Sequence, residues 1–177
     1  MNKKHLILIV TMIIVGFVLR LLPHPANFAP IMALALFSGL YLPHRLNVII
    51  PVVAMLISDI FLGFYSLPIM FSVYASFILA TLLGTWLKQH KNITNTVFAT
   101  IAGSALFFLI TNFSVWAFGT MYTHNFAGLI QSYYMALPFF RNSLIADMFY
   151  VTMFVGVAEL ILLQSKIFAI RKTQKIS

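Results

Sequence analysis

Residues 68–87 contain no charged side chain, and neither do residues 96–118. A helix needs about 20 mostly apolar residues to cross the hydrocarbon core of a bilayer. Six stretches of the chain approach that requirement, near 6–22, 29–42, 46–63, 68–87, 96–118 and 139–163. Turn-forming residues separate them: Pro23-His24-Pro25, Pro43-His44-Arg45, Gly63 to Pro68, and the polar run Lys88 to Asn95. The composition agrees. The chain is 62% hydrophobic and 8% charged, whereas soluble domains are roughly 45–50% apolar and about 25% charged. That excludes a soluble enzyme, a disordered chain and a nucleic-acid-binding domain. The expected fold is a single all-α membrane domain of six transmembrane helices over 1–177.

The net charge of +8 has a membrane explanation. Cytoplasmic loops are enriched in Lys and Arg. With the N-terminus inside, the inner segments hold Lys3, Lys4, Arg45, Lys88, Lys91, Lys166, Arg171, Lys172 and Lys175, and the outer side keeps only Arg20 and Arg141. Nine against two predicts both termini in the cytoplasm of a bacterial inner membrane. The basic C-terminus then faces anionic headgroups rather than nucleic acid. No small-x-small cleavage site follows residues 1–22, so that stretch is expected to stay as the first span.

Small residues recur four apart: Ala35 and Gly39, Ala54 and Ser58, Ser76 with Ala80 and Gly84, Ala99 and Gly103. Such stripes let helices approach closely in lipid. They serve either internal packing or a docking face for a partner.

Ionisable residues inside a membrane usually face a cavity or a partner. The chain has three acids, Asp59, Asp147 and Glu159. Asp59, Asp147, Arg20 and Arg141 all fall in the outer half by this topology. They either pair with one another or line an outward pocket in which an arginine grips an anionic group. Asn112 and Trp116 share a face of span five, with Ser104 two turns further in, and Ser143, Asp147 and Tyr150 form a stripe on span six. The outer loop adds Tyr122, His124, Tyr133 and Tyr134. Its segment 128–137 is expected to form a short interfacial helix before Pro138. Glu159 is expected to meet a cation on the inner side.

Several chemistries are missing from the chain. It has no cysteine, no phosphate-binding Gly-x4-Gly-Lys-Ser/Thr loop, no His-Glu-x-x-His and no close histidine pair. Ala102-Gly103-Ser104-Ala105 lacks the second glycine of a Gly-x-Ser-Gly protease motif. No enzyme activity, cofactor or metal site is expected.

The runs Arg20 to Pro30, Ser58-Asp59, Asn112-Phe-Ser-Val-Trp116, Tyr122, Gly128-Leu129 and Ala136 to Asn142, with Asp147 beyond, resemble an uncharacterised family of small bacterial membrane proteins associated with transport. That family is similar to the substrate-binding S components of energy-coupling factor (ECF) vitamin transporters. The resemblance covers about residues 18–160 and implies an S-component-like bundle. It also implies an outward pocket for a vitamin or precursor, and an ECF-type membrane subunit with two ATPases as partners. The positions it carries over are Arg20, His24, Asn27, Asp59, Asn112, Trp116, Asn142 and Asp147. With Tyr122, Tyr134 and Arg141 from the outer loop and span six, these make up the expected substrate site. The chain departs from S components in having no alanine in span one, where paired alanines often dock the partner subunit. A structural scaffold resembling the cell-shape protein MreD, with no ligand, is the alternative.

Overall fold

A computed structural model describes residues 3–23, 25 and 27–174. Among these residues the secondary structure is helical, with six helices in the expected order: α1 Lys3–Leu21, α2 Ile31–Tyr41, α3 Ile49–Leu62, α4 Leu67–His90, α5 Ile93–Phe118 and α6 Phe126–Gln174. Three helices, α4, α5 and α6, are long and apolar enough to cross a membrane; α2, α3 and the Ile9–Leu21 part of α1 are shorter apolar helices.

Local chemistry sets the ends. Pro30 precedes α2, and Leu42, just before Pro43, is extended with ψ 155°, as the residue before a proline prefers. Leu46 and Asn47 both donate their backbone N–H to the Pro43 carbonyl. That turn occupies the residues where the third span was expected to begin, and α3 starts at Ile49. Pro51 is accommodated because first-turn N–H groups have no intrahelical acceptor. α3 ends at Gly63, with φ 95° and its N–H on the Asp59 carbonyl at 2.8 Å, a conformation that favours glycine. Asn92 caps α5 by accepting the Asn95 N–H at 2.7 Å.

α2 is the centre of the bundle. All its residues from Met32 to Leu40 are buried, and it touches each of the other five helices. Eleven residues rise only about 16 Å, so α2 is a buried pillar shorter than a bilayer. Its most extensive partner is α4. There Ala35 and Gly39 face Ala80 and Gly84, and a Cβ on Gly39 would collide with the Thr81 carbonyl, as one on Gly84 would with that of Leu36. These two stripes therefore serve internal packing. On the other side, Phe37 packs its ring 5.8 Å from Phe154 of α6. Large apolar side chains such as Phe61, Phe71, Phe98 and Phe149 point outward.

One expectation fails. The outer-loop segment does not form a separate interfacial helix. α6 runs without a break from Phe126 through Pro138. Pro138 removes one ladder hydrogen bond, and the helix continues on both sides of it.

Candidate functional site

One end of the bundle gathers the end of α1, the 22–30 loop, the α3–α4 turn, the last turns of α5 and the α6 segment around Ser143. Arg20, in the last turn of α1, reaches α3. Its Nη2 pairs with Asp59 Oδ1 at 2.8 Å, and its Nη1 donates to the Ser58 hydroxyl and toward the Met55 carbonyl at 3.4 Å. Tyr74, one helix further, donates its hydroxyl to the other Asp59 oxygen at 2.8 Å. The side chains of Arg20 and Asp59 are 13% and 1% exposed. This cluster ties α1, α3 and α4 together, and it sets the arginine charge against a carboxylate rather than leaving it for an anion.

Beside it lies a cavity of about 220 Å³. Arg20, Asn27, Tyr65, Ser143 and Asp147 give it polar groups, and Met32, Met55, Val73, Phe77 and Phe107 most of its apolar wall. Phe77 and Phe107 lie 5.5 Å apart between ring centroids. A second chamber of about 110 Å³ adjoins, sharing Asn27, Phe107 and Ser143, and it reaches Ser104, Thr111 and Asn112. Asn27 borders both from a left-handed backbone conformation, φ 60°, which asparagine tolerates better than most residues. Tyr65 stands in the α3–α4 turn; burial, helped by the Asp59 carboxylate, pushes its hydroxyl up to about 12, so it is a neutral hydrogen-bonding group at pH 7.

Asp147 is 3% exposed. Its Oδ2 accepts the Ser104 hydroxyl across the α5–α6 contact at 2.7 Å. Among the described residues no cation pairs with it, so the mutual pairing considered for the four ionisable groups holds for Arg20 with Asp59 and not for Asp147. Arg141 is exposed and borders neither chamber. The reason is helical phase: Arg141 lies about 200° around α6 from Ser143.

The expected site residues thus divide. Arg20, Asn27 and Asp147 line the larger chamber, Asp59 braces it from behind, and Asn112 lines the smaller one. The Asn112 amide donates to the Phe108 carbonyl of its own helix at 2.8 Å. Trp116, Tyr122, Tyr134, Arg141 and Asn142 line neither chamber. Trp116 donates its indole N–H to the Thr123 carbonyl at 3.0 Å, and His124 bonds the Gly119 carbonyl at the same distance. Together they clasp the α5–α6 loop. Tyr134 is 68% exposed. His24 lies outside the described residues. The sequence reading missed Tyr65, Tyr74, Phe77 and Phe107. A signal for two of them existed: the buried face of α4, Ser76, Ala80 and Gly84, extends outward to Val73 and Phe77, and Phe107 falls between Ser104 and Thr111 on one face of α5.

The opposite end carries the basic loops. Lys91 pairs with Glu159 at 2.5 Å, Tyr41 donates to the same carboxylate oxygen at 2.5 Å, and Lys88 donates to the Leu42 carbonyl. Glu159 thus meets the expected cation. Among the described residues no three His, Asp or Glu side chains cluster as metal ligands do.

No curated protein and no solved structure matches the chain. A family model does match it over residues 1–171, nearly its whole length, so the protein with this two-chambered bundle belongs to the family of unknown function DUF6580.

Proposed function

We propose that this protein is the substrate-binding membrane subunit of an uptake system for a small water-soluble organic nutrient, a vitamin or its precursor. The carrying observation is the cavity of about 220 Å³, in which Asn27, Tyr65 and Asp147 stand among aliphatic and aromatic walls. An apolar chamber with a few converging polar groups is the usual form of a small-molecule site. In this reading the six-helix bundle sits in a bacterial cytoplasmic membrane with both termini inside, the short α2 enclosed by the other five helices. The chambered end, poor in free cations, faces out, and the Lys88–Lys91 end faces in. The likeness to ECF S components supports the same assignment, with a separate membrane subunit and two ATPases to supply energy.

The test is compound depletion from the medium by cells that lack or overproduce the protein, followed by mass spectrometry. The proposal expects one small polar organic compound to be depleted faster as the protein rises, and the effect to vanish with Asn27→Ala or Asp147→Asn at equal protein level. Unchanged depletion of every compound, with altered cell shape on deletion, would favour a ligand-free scaffold.

A further inference from the structure

We infer that the larger chamber takes a ligand carrying a protonated nitrogen beside a single flat ring, with Asp147 as its counter-charge. This rests on the small-molecule reading of the cavity given above.

The chain has three acids. Asp59 is matched by Arg20 and Tyr74. Glu159 is matched by Lys91 and Tyr41. Asp147, almost as buried as Asp59, receives one hydroxyl from Ser104 and, among the described residues, no cation. Arg20 is the cation on the same wall, but its charge is already set against Asp59. Together the lining and the Asp59 behind it hold two carboxylates, Asp59 and Asp147, against the one cation Arg20, and a positively charged ligand would give Asp147 the partner that Asp59 already has.

Ser104 fits this role. Its hydroxyl has one proton and two acceptors in reach, Asp147 Oδ2 at 2.7 Å and the Thr100 carbonyl at 3.0 Å. When Asp147 is ionised, Ser104 donates to it. When Asp147 holds a proton, it donates to Ser104, whose own proton turns to Thr100. The carboxyl thus has a satisfied hydrogen-bonding arrangement in either protonation state, and pairing with a bound cation favours the ionised one.

The walls set size and shape. An apolar cavity of about 150 Å³ admits benzene, so about 220 Å³ suits one substituted ring. The adjoining 110 Å³ beyond Ser143 and Phe107 leaves room for a side arm. Phe77 and Phe107 supply aromatic surface, which attracts cations as well as rings.

The test uses three matched probes, benzylamine, benzyl alcohol and benzoate, titrated calorimetrically at pH 7 into the full-length protein in lipid nanodiscs, with empty nanodiscs as the blank. Benzylamine should bind about ten-fold tighter than either of the others, and Asp147→Asn should abolish that preference. If benzyl alcohol or benzoate binds tightest, or if Asp147→Asn keeps the preference, the charge inference fails while the small-molecule reading stands. If no probe binds, both fail. Should Asp147→Asn not fold, the ranking on the wild-type protein decides alone.

Discussion

The guanidinium of Arg20 and the carboxylate of Asp59 meet at 2.8 Å, joining the end of α1 to the end of α3 across 39 residues of chain. Asp59 is buried and Arg20 largely so, both are further hydrogen-bonded, and Arg20 lines the larger chamber. The pair fixes the chamber's rim and sets the arginine charge against a carboxylate.

Removing one partner leaves the other buried and uncompensated. Arg20→Met or Asp59→Leu alone should each lower stability by about 3–5 kcal/mol, whereas the double variant should recover most of that loss. Lys91→Ala, which breaks the more exposed pair with Glu159, should cost under about 1 kcal/mol. Unfolding titrations in mixed micelles measure all four. Equal costs for the two pairs would contradict the greater burial of the Arg20–Asp59 pair.

The α2–α4 crossing depends on two glycines in backbone contact. Gly39→Ala should force the helices apart and sharply reduce recovery of folded protein, because its Cβ meets the Thr81 carbonyl, and overpacking costs about 1–3 kcal/mol or more. Gly156→Ala is the control, since a Cβ there meets nothing within 4 Å. Thermal melts followed by size-exclusion chromatography should show loss of the folded peak for the first variant and little change for the second.

The clasp at the α5–α6 loop is separate from the chambers. Trp116→Phe loses the hydrogen bond to Thr123 and should cost about 1 kcal/mol. It should leave ligand occupancy unchanged, as should Tyr134→Ala. Asn27→Gly, which keeps the left-handed turn available, should reduce occupancy at nearly unchanged stability. Loss of ligand in the Trp116 or Tyr134 variants would move the site into the loop.

Sidedness is directly measurable because the chain has no native cysteine. Tyr65→Cys should react with a membrane-impermeant maleimide added to intact cells, and His90→Cys only after the cells are opened. The reverse pattern would invert the proposed orientation.

Much of this architecture was legible in the sequence because membrane helices announce themselves through charge-free runs and turn residues. The six helices and the meeting of Glu159 with a cation follow from the spans and the charge pattern, and the pairing of Arg20 with Asp59 settles one of the two readings open for those groups. The stripes of small residues also marked the buried faces of α2 and α4. Rotation about each helix axis was harder to read. Arg141 shares a depth with Ser143 but not a face, and Trp116 shares a face with Asn112 but stands at the helix end, where the returning loop claims it. The unbroken α6 was hidden by Pro138, which usually ends a helix yet here is carried inside one. Tyr74 was missed because its role depends on the α3–α4 turn, which brings it opposite Asp59.

The proposed function requires that the chamber beside Asp147 hold a small organic molecule. Native mass spectrometry of the protein, purified gently from cells that make it and compared with Asp147→Asn, tests this most directly. A stoichiometric low-mass adduct is expected on the wild-type protein and is expected to be absent from the folded variant. A wild-type protein free of any such adduct, carrying instead components of the cell-wall machinery, would contradict the proposed function.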